Sequence, residues 1–322
     1  MTQGYDVIGD VHGHAAKLEN LLGRMGYSDS SGVWRHPRRT AVFVGDLIDR
    51  GPEQLATVAI ARRMIEAGSA QAVMGNHEFN AIAWRHGWRE KSTKNQEQHQ
   101  EFLNEIGEDS PAHDEMIGWF ETLPLWLELD GLRVIHACWN EQSQAALGSS
   151  SLLTLDVLHA GATRGTAEYE AVEILLKGPE IPLPPQYFYK DKNEQVREEA
   201  RYRWWITGPT TVRNRAELPS NSRTASGAAH PGFPDTAIPP PLPVDVYNGP
   251  PVIYGHYWQT GTPALTSPIT ACVDYSAGKD GPLVAYQWSG ESTLSNENFI
   301  SSRCQILARL RHTSGRFVRL LR

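Results

Sequence analysis

The sequence predicts an α/β fold built on a mostly parallel sheet. Short β-branched runs alternate with helical patterns through the first third, and each run ends in a cluster of Gly, Asp, His or Asn. A rhythm of strand, helix, strand, helix, strand needs crossovers that cover the faces of a parallel sheet. Ligand sites of such sheets lie at the carboxyl ends of strands, so the polar clusters fall where chemistry belongs.

In order, residues 5–9 read as a strand, 15–25 as a helix, 40–44 as a strand, 54–67 as a helix and 71–74 as a strand. Residues 85–115 are strongly polar, with the run Glu90-Lys91-Ser92-Thr93-Lys94-Asn95-Gln96, and read as a surface insertion with helical pieces acting as solvated scaffold. Trp119, Phe120 and Leu123 fit a buried helical stripe ahead of the Pro124 break, and residues 132–137 a buried strand. Between 145 and 251 the pattern weakens into a stretch rich in Pro, Gly and Ser, which predicts a cap or long loop. Strands resume at 252–254, 270–275 and 283–288, with Asp280-Gly281 as a hairpin turn between the last two.

A chain of 322 residues can bury a substantial core, and one large domain over 1–302 is expected, with insertions at about 85–115 and 140–250. Residues 303–322 carry Arg303, Arg309, Arg311, Arg316, Arg319 and Arg322 with no acid, and form a basic extension expected to dock on an acidic body. The net charge of -7 gives no global pull toward nucleic acid, and no nucleic-acid partner is expected. Cys138, Cys272 and Cys304 offer neither a disulfide framework nor a CxxC knuckle, which points to a reducing compartment. Neither a signal peptide nor a membrane span is expected, so the predicted location is cytoplasmic.

Five clusters carry the chemistry: Gly9-Asp10-Val11-His12-Gly13-His14, Gly45-Asp46-Leu47-Ile48-Asp49-Arg50-Gly51, Gly75-Asn76-His77-Glu78, Val134-Ile135-His136 and Tyr254-Gly255-His256. Carboxylate, imidazole and amide oxygen suit borderline divalent metals such as Mn, Fe and Zn, and no thiolate suggests a structural zinc. Asp10 and His12, two apart at a strand end, are expected to share one face.

The motifs GDVHGH, GDLIDRGP and GNHE, in that order and at helix-length spacing, resemble those of the phosphoprotein phosphatase type of calcineurin-like metallophosphoesterase. That resemblance, which also covers symmetric diadenosine tetraphosphatases, implies a four-layered α/β/β/α sandwich with an inserted cap or long loop. It implies that Asp10, His12 and Asp46 hold one metal, and that Asp46 bridges to a second held by Asn76, His136 and His256. Two divalent or trivalent ions are expected, manganese in vitro with iron or zinc as alternatives, sharing the hydroxide that attacks phosphorus. Arg50 would bind a phosphate oxygen, and His77, oriented by Asp49, would protonate the leaving oxygen. A further phosphate-binding arginine is implied, with Arg201 and Arg203 the best suppliers and Arg213 and Arg215 behind them.

Motifs do not choose between phosphomonoesters, including phosphorylated side chains of proteins, and dinucleoside polyphosphates. The former are expected ahead of the latter, because the basic supply outside the motifs is confined to Arg197 through Arg215 and runs into a Pro-rich loop that reads as an adjustable rim. A scaffold that binds phosphate ligands without turnover is the non-enzyme alternative.

Overall fold

The computed structural model describes residues 4–190, 194–219 and 222–302. The β-branched runs become β1 (Tyr5–Ile8), β2 (Thr40–Phe43) and β3 (Ala70–Ala72), parallel and adjacent in that order. Crossovers run through α1 (Ala15–Arg24), which buries Leu18, Leu21 and Leu22 at helical spacing, and α2 (Gln54–Glu66), which buries Val58, Ala61 and Met64. Next come α3 (Asn76–Arg85), α4 (Thr93–Ile106) and α5 (Pro111–Phe120), the last two capped by Ser92 and Ser110 side chains.

A second sheet follows, with β4 (Trp126–Leu129), β5 (Leu132–Ile135), β6 (Val252–Tyr254) and β7 (Thr270–Cys272) in spatial order β7-β6-β5-β4. The chain then returns to the first sheet as β8 (Val284–Trp288) and β9 (Phe299–Ser301). β8 runs antiparallel to β1, with Tyr5 opposite Trp288, so the first sheet has the order β9-β8-β1-β2-β3 and is mixed rather than mostly parallel. Asp280-Gly281 is therefore not a hairpin turn, because β7 and β8 lie in different sheets and this segment is the crossover between them.

Alternation along the strands makes the layers. Val7, Val42, Val44 and Val73 of the first sheet meet Val134, Ile253, Ala271 and Val273 of the second in one wholly buried cluster. Ile8 and Phe43, pointing the other way, join Leu18, Leu22, Val58 and Met64. Burying one such side chain is worth roughly 1.5–3 kcal/mol, and two sheets with helices outside them form the expected α/β/β/α sandwich.

Two regions depart from expectation. The polar insertion is more than solvated scaffold, since α4 buries His99, Phe102, Leu103 and Ile106 along one stripe. Within the predicted cap, α6 (Glu141–Leu147), α7 (Leu155–Ala162) and α8 (Ala167–Lys177) are regular helices. α8 packs as core through Leu175 and Leu176, and the Leu175 carbonyl accepts the Ala137 N–H at 3.1 Å. From 178 to 250 only short strands, turns, a 3-10 turn at Pro185–Tyr187 and a one-turn helix at Val212–Arg215 remain among the described residues. The basic segment 303–322, Cys304 included, lies outside the described residues. No helix among the described residues is long and apolar enough to cross a membrane.

Candidate metal centre

Strand ends from both sheets converge on one buried cluster. Asp10 and His12 follow β1, Asp46, Asp49 and Arg50 follow β2, Asn76 and His77 open α3 after β3, His136 follows β5, and His256 follows β6. Asp10 and His12 do not share a strand face as expected, because β1 ends at Ile8 and His12 turns the chain with φ 49°. His12, Asp46, Asp49, Arg50 and His256 all occupy the left-handed region, with φ between 49° and 75°. Strain of this kind costs of order 1–3 kcal/mol per residue and persists where surrounding structure enforces it. Gly255 must lack a side chain here, since a Cβ would overlap Asp10 Oδ1.

Asp46 lies at the middle. Its Oδ2 is 3.6 Å from His12 Nε2 and 3.8 Å from His77 Nε2, while Oδ1 is 3.5 Å from His136 Nε2. Asn76 Oδ1 lies 3.0 Å from His136 Nε2, and possible ligand atoms of Asp46, His136 and His256 are all within 4.8 Å of one another. Asp10 accepts the His256 backbone N–H at 3.2 Å through Oδ2.

The imidazoles are set for a cation. His12 Nδ1 donates to the Ile48 carbonyl at 2.9 Å and His136 Nδ1 to that of Val44 at 2.7 Å, which directs both Nε2 atoms inward. His12 Nε2 and both nitrogens of His256 are buried without a hydrogen-bond partner. Unpaired buried polar atoms are expensive, and metal ligation resolves His12 Nε2 and one nitrogen of His256. Burial, then the charges of Asp274 and Asp46, push the Asp10 carboxyl well above its ordinary range. Burial also opposes ionisation of Asp46, but His136, His77 and His12 outweigh it and hold that carboxyl low.

A second constellation lies beside the first. Asp49 Oδ2 accepts His77 Nδ1 at 2.5 Å and His99 Nδ1 at 2.8 Å. Burial disfavours its charge, but His99 and His77 outweigh burial and bring the carboxyl to about 2. Burial pushes His99 itself down, against the opposing pull of Asp49. His77 is pushed down by burial, but Asp46 and Asp49 prevail and raise it. Arg50 Nη2 donates to His77 Nε2 at 3.3 Å, and its guanidinium lies 5.1 Å from the Trp258 ring.

The two expected phosphate-binding arginines part company. Arg201 donates to the His256 carbonyl at 3.4 Å and stands over Trp258 at 5.1 Å, within the site. Arg203 donates to the carbonyls of Arg213 and Asn214 instead, and Arg215 to those of Ile206, Pro209 and Gly208, so both are bound into the 206–215 loop. Arg213 reaches the Phe233 carbonyl at 3.1 Å.

Three residues without an expected role complete the site. Glu78 accepts the backbone N–H groups of Asp46 at 2.8 Å, Leu47 at 2.8 Å and Gly75 at 2.9 Å, tying two metal loops together. Burial and the neighbouring Asp46 charge raise its carboxyl to about 7. Asp274 accepts Trp258 N–H at 2.8 Å and Ser276 N–H at 2.9 Å, and His99 reaches Asp49 from α4. Replacing Glu78 by Gln turns an amide NH2 toward those donors. The expected result is a loss of about 10–100-fold in metal affinity, read by calorimetric titration of manganese into the metal-free variant. Unchanged affinity would refute the tie.

The calcineurin-like phosphoesterase family model matches residues 5–207. This chain belongs to that family. Among relatives of this chain, bis(5'-nucleosyl)-tetraphosphatase PrpE (asymmetrical) of Oceanobacillus iheyensis is 31% identical over 141 residues, 41% of this chain and 54% of its own length. The Geobacillus sp. protein of the same name is 34% identical over 135 residues, covering 41% and 55%. The chain thus spans about half the length of the curated relatives it matches. A protein serine/threonine phosphatase structure from Saccharomyces cerevisiae aligns over 92% of this chain and 78% of its own, with 17% identity and a TM-score of 0.47.

Proposed function

We propose that the chain is a dinuclear metal-dependent phosphatase, with one catalytic domain over residues 1–302. The observation that carries this reading is Asp46 turning one oxygen toward His12 and the other toward His136. Asp10, His12 and Asp46 would hold one ion, and Asp46, Asn76, His136 and His256 the other. When bound, the two ions supply Lewis-acid charge and an activated water for attack on phosphorus.

The chain's own groups do the rest. Arg50 donates to His77 Nε2 in this state, and a phosphoryl oxygen is the stronger acceptor for a guanidinium. Transfer of Arg50 to substrate frees Nε2 to take up a proton from solvent, favoured by the charges of Asp46 and Asp49, and to pass it to the leaving oxygen, with Asp49 holding the ring from behind. The buried thiols of Cys138 and Cys272 are pushed well above their ordinary range, which argues against a cysteine nucleophile.

Phosphomonoesters, phosphorylated protein side chains among them, are the first substrate class. Dinucleoside polyphosphates are the second, and one observation favours them: Arg50 and Arg201 at 5.1 Å and Lys279 at 5.2 Å surround the Trp258 ring, more positive charge than one phosphate requires. The tetraphosphatase names of the two relatives point the same way.

Chelation should abolish turnover of para-nitrophenyl phosphate, and manganese should restore it. Full activity in a chelated sample shown to be metal-free by elemental analysis would sink the proposal. Comparing kcat/KM for phosphoserine, phosphotyrosine and diadenosine tetraphosphate then selects the class, a hundredfold preference for the last overturning the phosphomonoester reading.

A further inference from the structure

We propose that His99, locked by Arg89, is a positioning residue that holds Asp49 against His77 and so sets the aim of His77 at the leaving oxygen. Arg89 Nη1 lies 3.0 Å from His99 Nε2, and its Nη2 donates to Gln98 Oε1 at 2.8 Å. A guanidinium can only donate. His99 Nε2 is therefore the acceptor, the ring is the neutral tautomer with its proton on Nδ1, and Nδ1 donates to Asp49 Oδ2. His77 Nδ1 donates to the same oxygen, and Arg50, also a pure donor, faces His77 Nε2. The order Arg89, His99, Asp49, His77, Arg50 is one continuous line of hydrogen bonds in which every polarity is fixed from its two ends.

Asp49 needs such a support. Its Oδ1 is buried without a partner, its own N–H is taken by Gln54 Oε1 at 2.6 Å, and its backbone is left-handed with φ 71°. A carboxylate bonded to His77 alone would be free to turn about χ2, whereas a second imidazole on Oδ2 fixes the plane in which His77 is held. The donor comes from the polar insertion, whose stripe of Phe102, Leu103 and Ile106 anchors α4 in the core one turn away. Asp49, His77 and His99 could as a group hold a cation. The Arg89 bond argues otherwise, since it fixes a proton on the Nδ1 that such an ion would need. Orienting a catalytic imidazole through a third group is the same logic as in nucleophile, histidine, carboxylate triads, here extended by one residue.

The inference rests on the reading of His77 as the group at the leaving oxygen, so two controls come first. Wild type must turn over para-nitrophenyl phosphate with manganese, and His77→Ala must be slow on poor leaving groups. Failure of either sinks that reading itself. In full-length protein, His99→Leu should then lower kcat on phosphoserine, a poor leaving group, by at least about tenfold. The loss on para-nitrophenyl phosphate should be several-fold smaller, and two metals should stay bound. His99→Asn, which places an N–H where Nδ1 stands, should recover most of the loss, and Arg89→Met should show part of it. The downfield Nδ1 proton of His77 in NMR spectra should weaken in His99→Leu and return in His99→Asn. Equal losses on both substrates, no rescue by Asn, or a His77 proton signal indifferent to His99 would each overturn the assignment.

Discussion

Asp46→Asn should leave a folded protein that holds neither metal tightly. Asp46 is the only side chain whose two oxygens face two different histidine groups among the described residues, with His12 and His77 on one side and His136 on the other. Removing its charge weakens the proposed shared ligand and leaves the partnerless nitrogens of His12 and His256 facing a weaker donor. Loss of an outer-sphere partner alone costs about 10–100-fold in metal affinity or activity, and loss of the bridging ligand should exceed that for both ions together. Elemental analysis of the purified variant checks it. Two tightly bound metals per chain would refute the bridging role.

His77→Ala should do the converse, keeping both metals and losing rate. His77 contacts the cluster through its Nε2 edge at 3.8 Å from Asp46, but its Nδ1 is committed to Asp49 and its Nε2 faces Arg50. General acid help is worth about 10² to 10⁴ in rate, so kcat on an alkyl phosphate should fall by that order. The deficit should shrink for para-nitrophenyl phosphate, whose leaving group needs little protonation. A deficit of equal size for both would mean that His77 serves binding or structure instead.

Much of the candidate site was legible because its proposed ligands sit in short motifs at strand ends, where glycine and left-handed turns leave few alternatives. Asp10, His12, Asp46, Asn76, His77, His136 and His256 are brought together, and Arg50 and Arg201 with them. What was illegible follows from how it is encoded. His99 lies in a polar segment, and only the spacing of His99, Phe102, Leu103 and Ile106 at i, i+3, i+4 and i+7 marks it as inward-facing. Charged neighbours on the other face of α4 drown that stripe in any local average. Glu78 falls inside a motif, yet its three main-chain bonds depend on loops brought together from β2 and β3. Arg203 and Arg201 are two residues apart and cannot be told apart by type, and only folding sends one to His256 and the other to the 213–214 carbonyls. The antiparallel return of β8 is a non-local pairing over most of the chain, which no periodicity announces.

That return has a consequence for biosynthesis. β1 is made before either of its neighbours, yet its place is between β2 and β8, and His256 is made long after Asp46. Long-range pairings of this kind form late because chain closure must precede any gain from contact. A nascent chain can thus assemble the Asp10, His12 and Asp46 corner early, but His136 and His256 join it only once β5 and β6 have been made. The candidate site is in this way left incomplete until the sandwich is whole.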